Sequence, residues 1–307
     1  MIWQKYLKNC KLCPRNCGVN KIISDKGVCR TKTGYYISSV VVHKGEEPPI
    51  SGDKGICNVF FAHCNLQCVY CQNYQISRNN INIEQFKMSY EQVLDRIIEI
   101  LEETGINIVG FVSPSHFVVE TIEIIEGLYK RGYFPTIVYN TNAYDKVETL
   151  QMLEKYVDVY LPDMKYMDSR IAAKYSRAKD YPTVAVKAIE EMYRQKGDLL
   201  LINKDGYVHS GLIIRHLVLP GNIENSLAVL RFIASLSKDI HISLMAQYYP
   251  TAEAYKYPEI NRVLTQKEYE VVVNELEKLG LSNGWIQDLE SSDIYRPDFS
   301  REYPFGG

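Results

Sequence analysis

From residue 57 onward the chain alternates short apolar runs with amphipathic helical stretches, six times over. The apolar runs are Cys57–His63, Ile106–Val112, Phe134–Tyr139, Val157–Leu161, Leu212–Leu219 and Ile240–Ala246. They are rich in the β-branched and aromatic residues that suit a pleated, buried surface. Helical patterns follow at Ser89–Glu103, Val118–Arg131, Lys146–Tyr156, Ser169–Arg177 with Thr183–Lys196, Ser226–Ser237 and Gln266–Leu279. Ser89 with Gln92 reads as a capping box, and Gly105 as the stop of the first helix. Alternating strands and helices predict an α/β fold, a parallel sheet covered by helices. Six units are too few for an eight-stranded barrel. They make a partial barrel or an open doubly wound sheet, and periodicity does not choose between them.

The eight cysteines stand at positions 10, 13, 17, 29, 57, 64, 68 and 71, and none follows. A disulfide scaffold would spread its cysteines through the domain; this clustering reads as metal binding in a reducing compartment. Cys64, Cys68 and Cys71 are spaced C-x₃-C-x₂-C. Three thiolates hold three corners of a [4Fe–4S] cube. No fourth cysteine is near, so one iron stays open for a cofactor or substrate, like the open position of a catalytic zinc. Cys10, Cys13, Cys17 and Cys29 form a separate C-x₂-C-x₃-C-x₁₁-C set. Four thiolates close a site, suiting structural zinc or a second iron–sulfur cluster. Cys57 reads as a small buried residue at the start of the first strand.

The formal charge is −2 and the pI about 6.3, so no overall field favours nucleic acid or an anionic membrane. Residues 1–50 nevertheless carry nine Lys or Arg against three Asp or Glu. That excess hints at an N-terminal module with its own partner surface. No stretch approaches the ~18 apolar residues of a membrane span, and MIWQKYLKNC lacks the apolar run of a signal peptide. The expectation is a cytoplasmic protein divided into a four-cysteine module with linker (1–50), an α/β barrel domain (51–285) and an irregular C-terminal tail (286–307). In the linker His43–Gly52, Glu46 and Glu47 read more simply as a solvated acidic loop than as acid/base groups.

Parallel barrels form their active sites at the C-terminal strand ends. Cys64 follows the first strand; Ser113, Pro114 and His116 the second; Asn140, Thr141 and Asn142 the third. Asp163 and Lys165 follow the fourth, Arg215 lies within the fifth and Gln247 follows the sixth. Polar residues from all six units therefore meet on one rim. A guanidinium on an inward strand position needs an anion, and His116 is of the residue type that ordinarily titrates near neutrality.

The C-x₃-C-x₂-C loop, with Tyr70 before its last cysteine, resembles that of the radical S-adenosylmethionine (SAM) enzymes. The resemblance implies a TIM-type (β/α)₆ partial barrel. It implies that the open iron chelates the amino and carboxylate groups of SAM. An electron from the cluster then splits SAM into methionine and a 5′-deoxyadenosyl radical. Tyr70 would lie near the adenine. Asp158–Lys165 resembles the D-x-x-x-x-D-x-K segment of pyruvate formate-lyase activating enzymes, where the lysine, here Lys165, faces the SAM carboxylate. Arg215–Gly221 resembles their R-x-x-V-x-P-G strand. Their D-T-N-G turn appears as Asn140-Thr141-Asn142-Ala143, which keeps acceptors for the ribose but loses the charge that would hold a monovalent cation. Their G-G-E appears as Val112-Ser113-Pro114-Ser115-His116, so Ser113 or its backbone takes the SAM amino group and His116 can donate to a carboxylate.

With C-L-C-P-R-N-C-G-V-N and H-K-G-E-E-P-P-I-S-G added, the chain resembles iron–sulfur proteins similar to those activating enzymes (the PflX-like group). That implies hydrogen abstraction from a substrate, such as a glycine of a partner protein, with flavodoxin or ferredoxin as electron donor. A small-molecule substrate is the alternative within the class. A non-catalytic metal-binding or redox-sensing protein is the alternative outside it.

Overall fold

The computed structural model describes residues 4–291 and 296–305. Residues 1–3 of the expected N-terminal module, and 292–295 and 306–307 of the expected tail, lie outside the described residues. Among the described residues ten strands form one mixed sheet: β1 (Tyr35–His43), β2 (Ile56–Phe61), β3 (Lys87–Met88), β4 (Ile108–Val112), β5 (Thr136–Thr141), β6 (Val159–Pro162), β7 (Leu201–Ile202), β8 (Val208–Leu217), β9 (His241–Met245) and β10 (Gly284–Ile286). The order is β10-β9-β8-β6-β5-β4-β2-β1-β3, with β7 on β8. From β2 to β10 every neighbouring pair on that path is parallel. β10 pairs with β9 alone and antiparallel β1 covers β2, so the sheet curls as a partial barrel without closing.

The six expected strands are β2, β4, β5, β6, β8 and β9. β2 and β4 are buried along their whole length, as strands between two layers must be. The helix after β3, Tyr90–Thr104, carries the expected capping box between Ser89 and Gln92, and Gly105 ends it in the left-handed conformation. Its Val93, Leu94, Ile97, Ile100 and Leu101 are buried. No helix among the described residues is long and apolar enough to cross a membrane.

Four strands were not foreseen: the two-residue β3 and β7, and the longer β1 and β10. β1 lies within the segment assigned to the N-terminal module, yet it pairs antiparallel with β2 from Ile37↔Phe61 to His43↔Ile56. β10 adds a seventh parallel strand beyond β9.

Successive residues of a strand point to opposite faces, so alternate residues share one. Ile56, Ile108, Val138, Val159, Leu161 and Ile213 form one apolar cluster, into which the linker inserts Ile50. Two residues further along the same faces the chemistry changes to Asn58, Gly110, Asn140, Asp163 and Arg215. An apolar plug thus closes the bottom of the partial barrel, and polar side chains begin above it. The tail is irregular, as expected, but it returns to this end. Phe299 and Phe305 pack on Phe60, with ring centroids 5.2 and 5.5 Å away. Gln75 ties the tail down by donating to Asp298 at 3.0 Å and accepting from the Phe299 N–H at 2.8 Å.

Candidate functional site

A cavity of about 200 Å³ opens above the apolar plug, under the tail. Of the rim residues singled out in the sequence, it gathers Cys64, Cys68, Tyr70, Cys71, Ser113, Asn140, Asn142, Asp163, Lys165, Arg215 and Gln247. Pro297 and Phe305 of the tail complete its wall.

The cysteine loop follows β2. Each of its three sulfurs meets a donor. Cys64 Sγ accepts from the Leu66 N–H at 3.3 Å and from Asn142 Nδ2 at 3.4 Å. Cys68 Sγ receives the Ser176 hydroxyl at 3.1 Å and Cys71 Sγ the Ser77 hydroxyl at 3.2 Å. Burial pushes the Cys64 thiol up to about 12 and the Cys68 thiol to about 11. Asn142 also donates to Asn65 Oδ1 at 2.9 Å and accepts from the Tyr144 N–H, which makes it a clamp on this loop. Tyr70 is buried, its hydroxyl 2.6 Å from that of Tyr166 and its ring edge-on to Tyr248. Ser113 stands just past β4 in the left-handed region, φ 55°, where a residue other than glycine stores strain.

The charges converge on Arg215. Its guanidinium donates to Asp163 at 2.7 Å, to Glu46 at 3.0 Å and to Asn140 Oδ1 at 2.7 Å. Lys165 holds the other oxygen of Asp163 at 2.8 Å. Burial alone would raise the Asp163 carboxyl; Arg215 and Lys165 outweigh it and hold it below the ordinary value. Asn58 donates to Glu46 at 2.9 Å. Glu46 and Glu47 are therefore not the solvated loop expected. Glu46 is 8% exposed in an ion pair. Glu47 is buried, its carboxyl raised by desolvation, with Oε2 lacking a hydrogen-bond partner. His43 beside them is also buried, with Nδ1 unpartnered. Sequence reasoning missed these three. The available signal was Arg215 itself, a cation on an inward strand position that needs anions from another segment.

Gln247 exchanges bonds with Gln72 and accepts from Gln287, tying β9 to the cysteine loop and β10. His116 is set apart. It lines a separate cavity of about 10 Å³ together with Cys10, Cys13, Cys17 and Cys29. Its Nε2 contacts the Ala62 carbonyl at 2.9 Å, and burial lowers its pKa to about 3. Buried Lys21 donates to the His116 carbonyl at 2.6 Å. The two cysteine sets are neighbours: His63, immediately before Cys64, bonds the Cys29 carbonyl at 2.9 Å. Among the described residues, no three His, Cys, Asp or Glu side chains stand as a ready metal-holding group.

A family model described as the Radical SAM superfamily matches residues 58–209, from β2 into the start of β8. An uncharacterized protein of Methanocaldococcus jannaschii is 30% identical over 286 residues, which is 91% of this chain and 78% of that protein. Among solved structures, the FeFe-hydrogenase maturase HydG from Carboxydothermus hydrogenoformans shares the fold with a TM-score of 0.50 at 16% identity, over 80% of this chain and 57% of that one. Streptococcus suis SuiB gives 0.48 at 12% identity, over 76% and 50%. A domain of a pyruvate-formate lyase-activating enzyme from Bacteroides vulgatus gives 0.39 at 17% identity, over 56% and 93%. The matched segment carries the C-x₃-C-x₂-C loop and most of the polar rim, and the chain belongs to the radical SAM superfamily.

Proposed function

We propose that Cys64, Cys68 and Cys71 hold a [4Fe–4S] cluster, that SAM binds beside it, and that the pair abstracts hydrogen from a small molecule held under the tail. The observation that carries this reading is the meeting of three cysteines and a balanced ionic cluster in one cavity. The residues suit the group. Burial disfavours free thiolates at Cys64 and Cys68, whereas iron binding deprotonates them. The N–H and O–H donors on the sulfurs would spread the remaining charge. When bound, the cluster supplies the electron that cleaves SAM to methionine and a 5′-deoxyadenosyl radical.

The chain's own residues bind, orient and exclude water. Glu46, Asp163, Lys165 and Arg215 form a quartet of balanced charge, which suits a zwitterion better than a simple ion. Lys165 meets the SAM carboxylate, sharing itself with Asp163. Asn140 offers an amide to the ribose. The Ser113 turn faces the amino group, Tyr70 the adenine and Gln247 the outer wall. Asn142 acts by holding Cys64. The second set, Cys10, Cys13, Cys17 and Cys29 of the 1–50 module, holds a further metal; the ~10 Å³ space between them suits one zinc ion better than an iron–sulfur cube.

The strapped mouth favours a small substrate. The activating-enzyme-like motifs favour a glycine of a partner protein instead. Anaerobic reconstitution with SAM and dithionite, assayed for 5′-deoxyadenosine, tests the shared chemistry. A fully loaded cluster that yields no 5′-deoxyadenosine would leave a metal-binding or redox-sensing role. Adding metabolite extracts or glycyl-radical-type proteins and following deuterium into 5′-deoxyadenosine separates the two substrates.

A further inference from the structure

The basic excess of the N-terminal segment takes no part in the chemistry proposed above. Two of its arginines, Arg15 and Arg30, line a cavity of about 310 Å³ with Arg78 and Arg177. The four come from separate stretches of chain: the four-cysteine segment, the segment after the Cys64 loop, and the end of helix Ser169–Ser176. Among the described residues Glu253 is the one carboxylate on this wall, and it is paired to Arg78. The groove is therefore strongly cationic, while Arg30 and Arg177 are exposed.

Cys68 lines this groove and also the cavity under the tail. It is the residue the two linings share. Ser176, whose hydroxyl donates to Cys68 Sγ, immediately precedes Arg177. Arg15 reaches across the floor, donating to the Asn65 carbonyl at 2.9 Å and the Arg177 carbonyl at 2.8 Å. A charge arriving here comes within one side chain of a cluster ligand without crossing the substrate cavity.

We infer that this arginine groove is the docking surface for an acidic one-electron carrier protein, which reduces the cluster through the Cys68 side while SAM and substrate occupy the other. The inference rests on the iron–sulfur reading of Cys64, Cys68 and Cys71. The step is a single electron transfer: the carrier is oxidised by one electron, the cluster is reduced by one, and no atom changes place. Opposite charge steers such short-lived encounters and sets their salt dependence. A small interface suffices, since electron-transfer contacts are among the smallest.

The test uses the reconstituted full chain and a reduced acidic flavodoxin. Arg30→Glu with Arg177→Glu should slow carrier reoxidation by about tenfold or more and flatten its dependence on ionic strength. Calorimetric binding of the oxidised carrier, which needs no turnover, should weaken in parallel. Arg30→Lys with Arg177→Lys should restore both, because steering needs charge rather than a fork. Dithionite should reduce the cluster equally in every variant. Unchanged carrier binding and reoxidation in the double Glu variant would overturn the docking surface, as would binding of free inorganic phosphate in the groove with no carrier binding at all. Failure of dithionite to reduce wild type would instead overturn the iron–sulfur reading, and the inference with it.

Discussion

Replacing Arg215 by Leu should cost about 3 kcal/mol of stability, at the low end of the ~3–5 kcal/mol for removing one partner of a buried ion pair. The guanidinium is 14% exposed and its partners Glu46 and Asp163 are 8% and 19% exposed, so solvent screens the pairs only in part. Its bonds to Asp163, Glu46 and Asn140 would sum to more at roughly 1.5–3 kcal/mol for each charge-assisted bond. That sum overshoots, because it omits the desolvation already spent on the guanidinium. Lys165 keeps Asp163 partly compensated, and Asn58 keeps a donor on Glu46. The low end of the range follows. It corresponds to a melting shift of roughly 5 °C for a chain of this size. Arg215→Lys should recover only part, since one ammonium does not span three acceptors.

The pH dependence gives a second reading of the same cluster. In wild type the Asp163 carboxyl is held below its ordinary value. Its contribution is present at neutral pH and is lost only as pH falls through that lowered value. Without Arg215, burial dominates, and the folded variant takes up protons at a pH where wild type takes up none. The deficit should therefore narrow as pH falls from 7 toward the carboxylate range near ~4. Urea unfolding followed by circular dichroism, repeated across that range, measures it. A Leu variant within about 0.5 kcal/mol of wild type, the scatter of ordinary surface substitutions, or a deficit that widens in acid, would show that Arg215 does not organise the site.

Changing Cys64, Cys68 and Cys71 together to Ala should abolish the cluster's visible absorption and 5′-deoxyadenosine formation while metal analysis still finds the N-terminal ion; persistent cluster-dependent cleavage would contradict the assignment. His116 and His216 are held neutral by burial, with pKa values of about 3 and about 4. Their folded values lie below the unfolded one, so their contribution is whole above ~6.5 and falls by roughly 1.4 kcal/mol per pH unit for each histidine below it. Urea midpoints at several pH values check this, and His216→Gln should flatten the slope by one histidine's share. A Cβ on Gly110 would stand 2.1 Å from Asn58 Oδ1. Gly110→Ala should cost about 1–3 kcal/mol by overpacking and loosen Glu46, which calorimetry of SAM binding would register as weaker affinity; unchanged affinity and stability would mean that Asn58 moves freely.

The six expected strands were legible because a strand buried on both faces reads as a local apolar run, and helix Tyr90–Thr104 because both its cap and its stop lie within its own sequence. The cysteine loop was legible for the same reason, since its spacing is short. β1 carried a β-branched run, Val40-Val41-Val42, but it precedes the strand–helix rhythm and has no helix of its own; only its antiparallel register on β2 makes it part of the sheet. β10 is three residues long and starts at Gly284, whose φ of 120° no local preference announces. The ionic cluster was half legible. Arg215, Asp163 and Lys165 each stood out at a strand end, and Asp163 and Lys165 are near in sequence, but the bonds of Arg215 to Asp163 and Glu46 span 52 and 169 residues, which no window sees. Glu46 and Glu47 failed for a sharper reason. Residue type predicts solvent for paired glutamates in a Pro- and Gly-rich loop, and burying them costs too much unless cations wait inside. Arg215 is such a cation, flanked by Ile213, Ile214 and Leu217 on its own strand. An arginine fixed among apolar neighbours already requires buried carboxylates somewhere in the chain. Asp163 supplies one, and Glu46, just ahead of the short helix Pro48–Ser51, supplies the other.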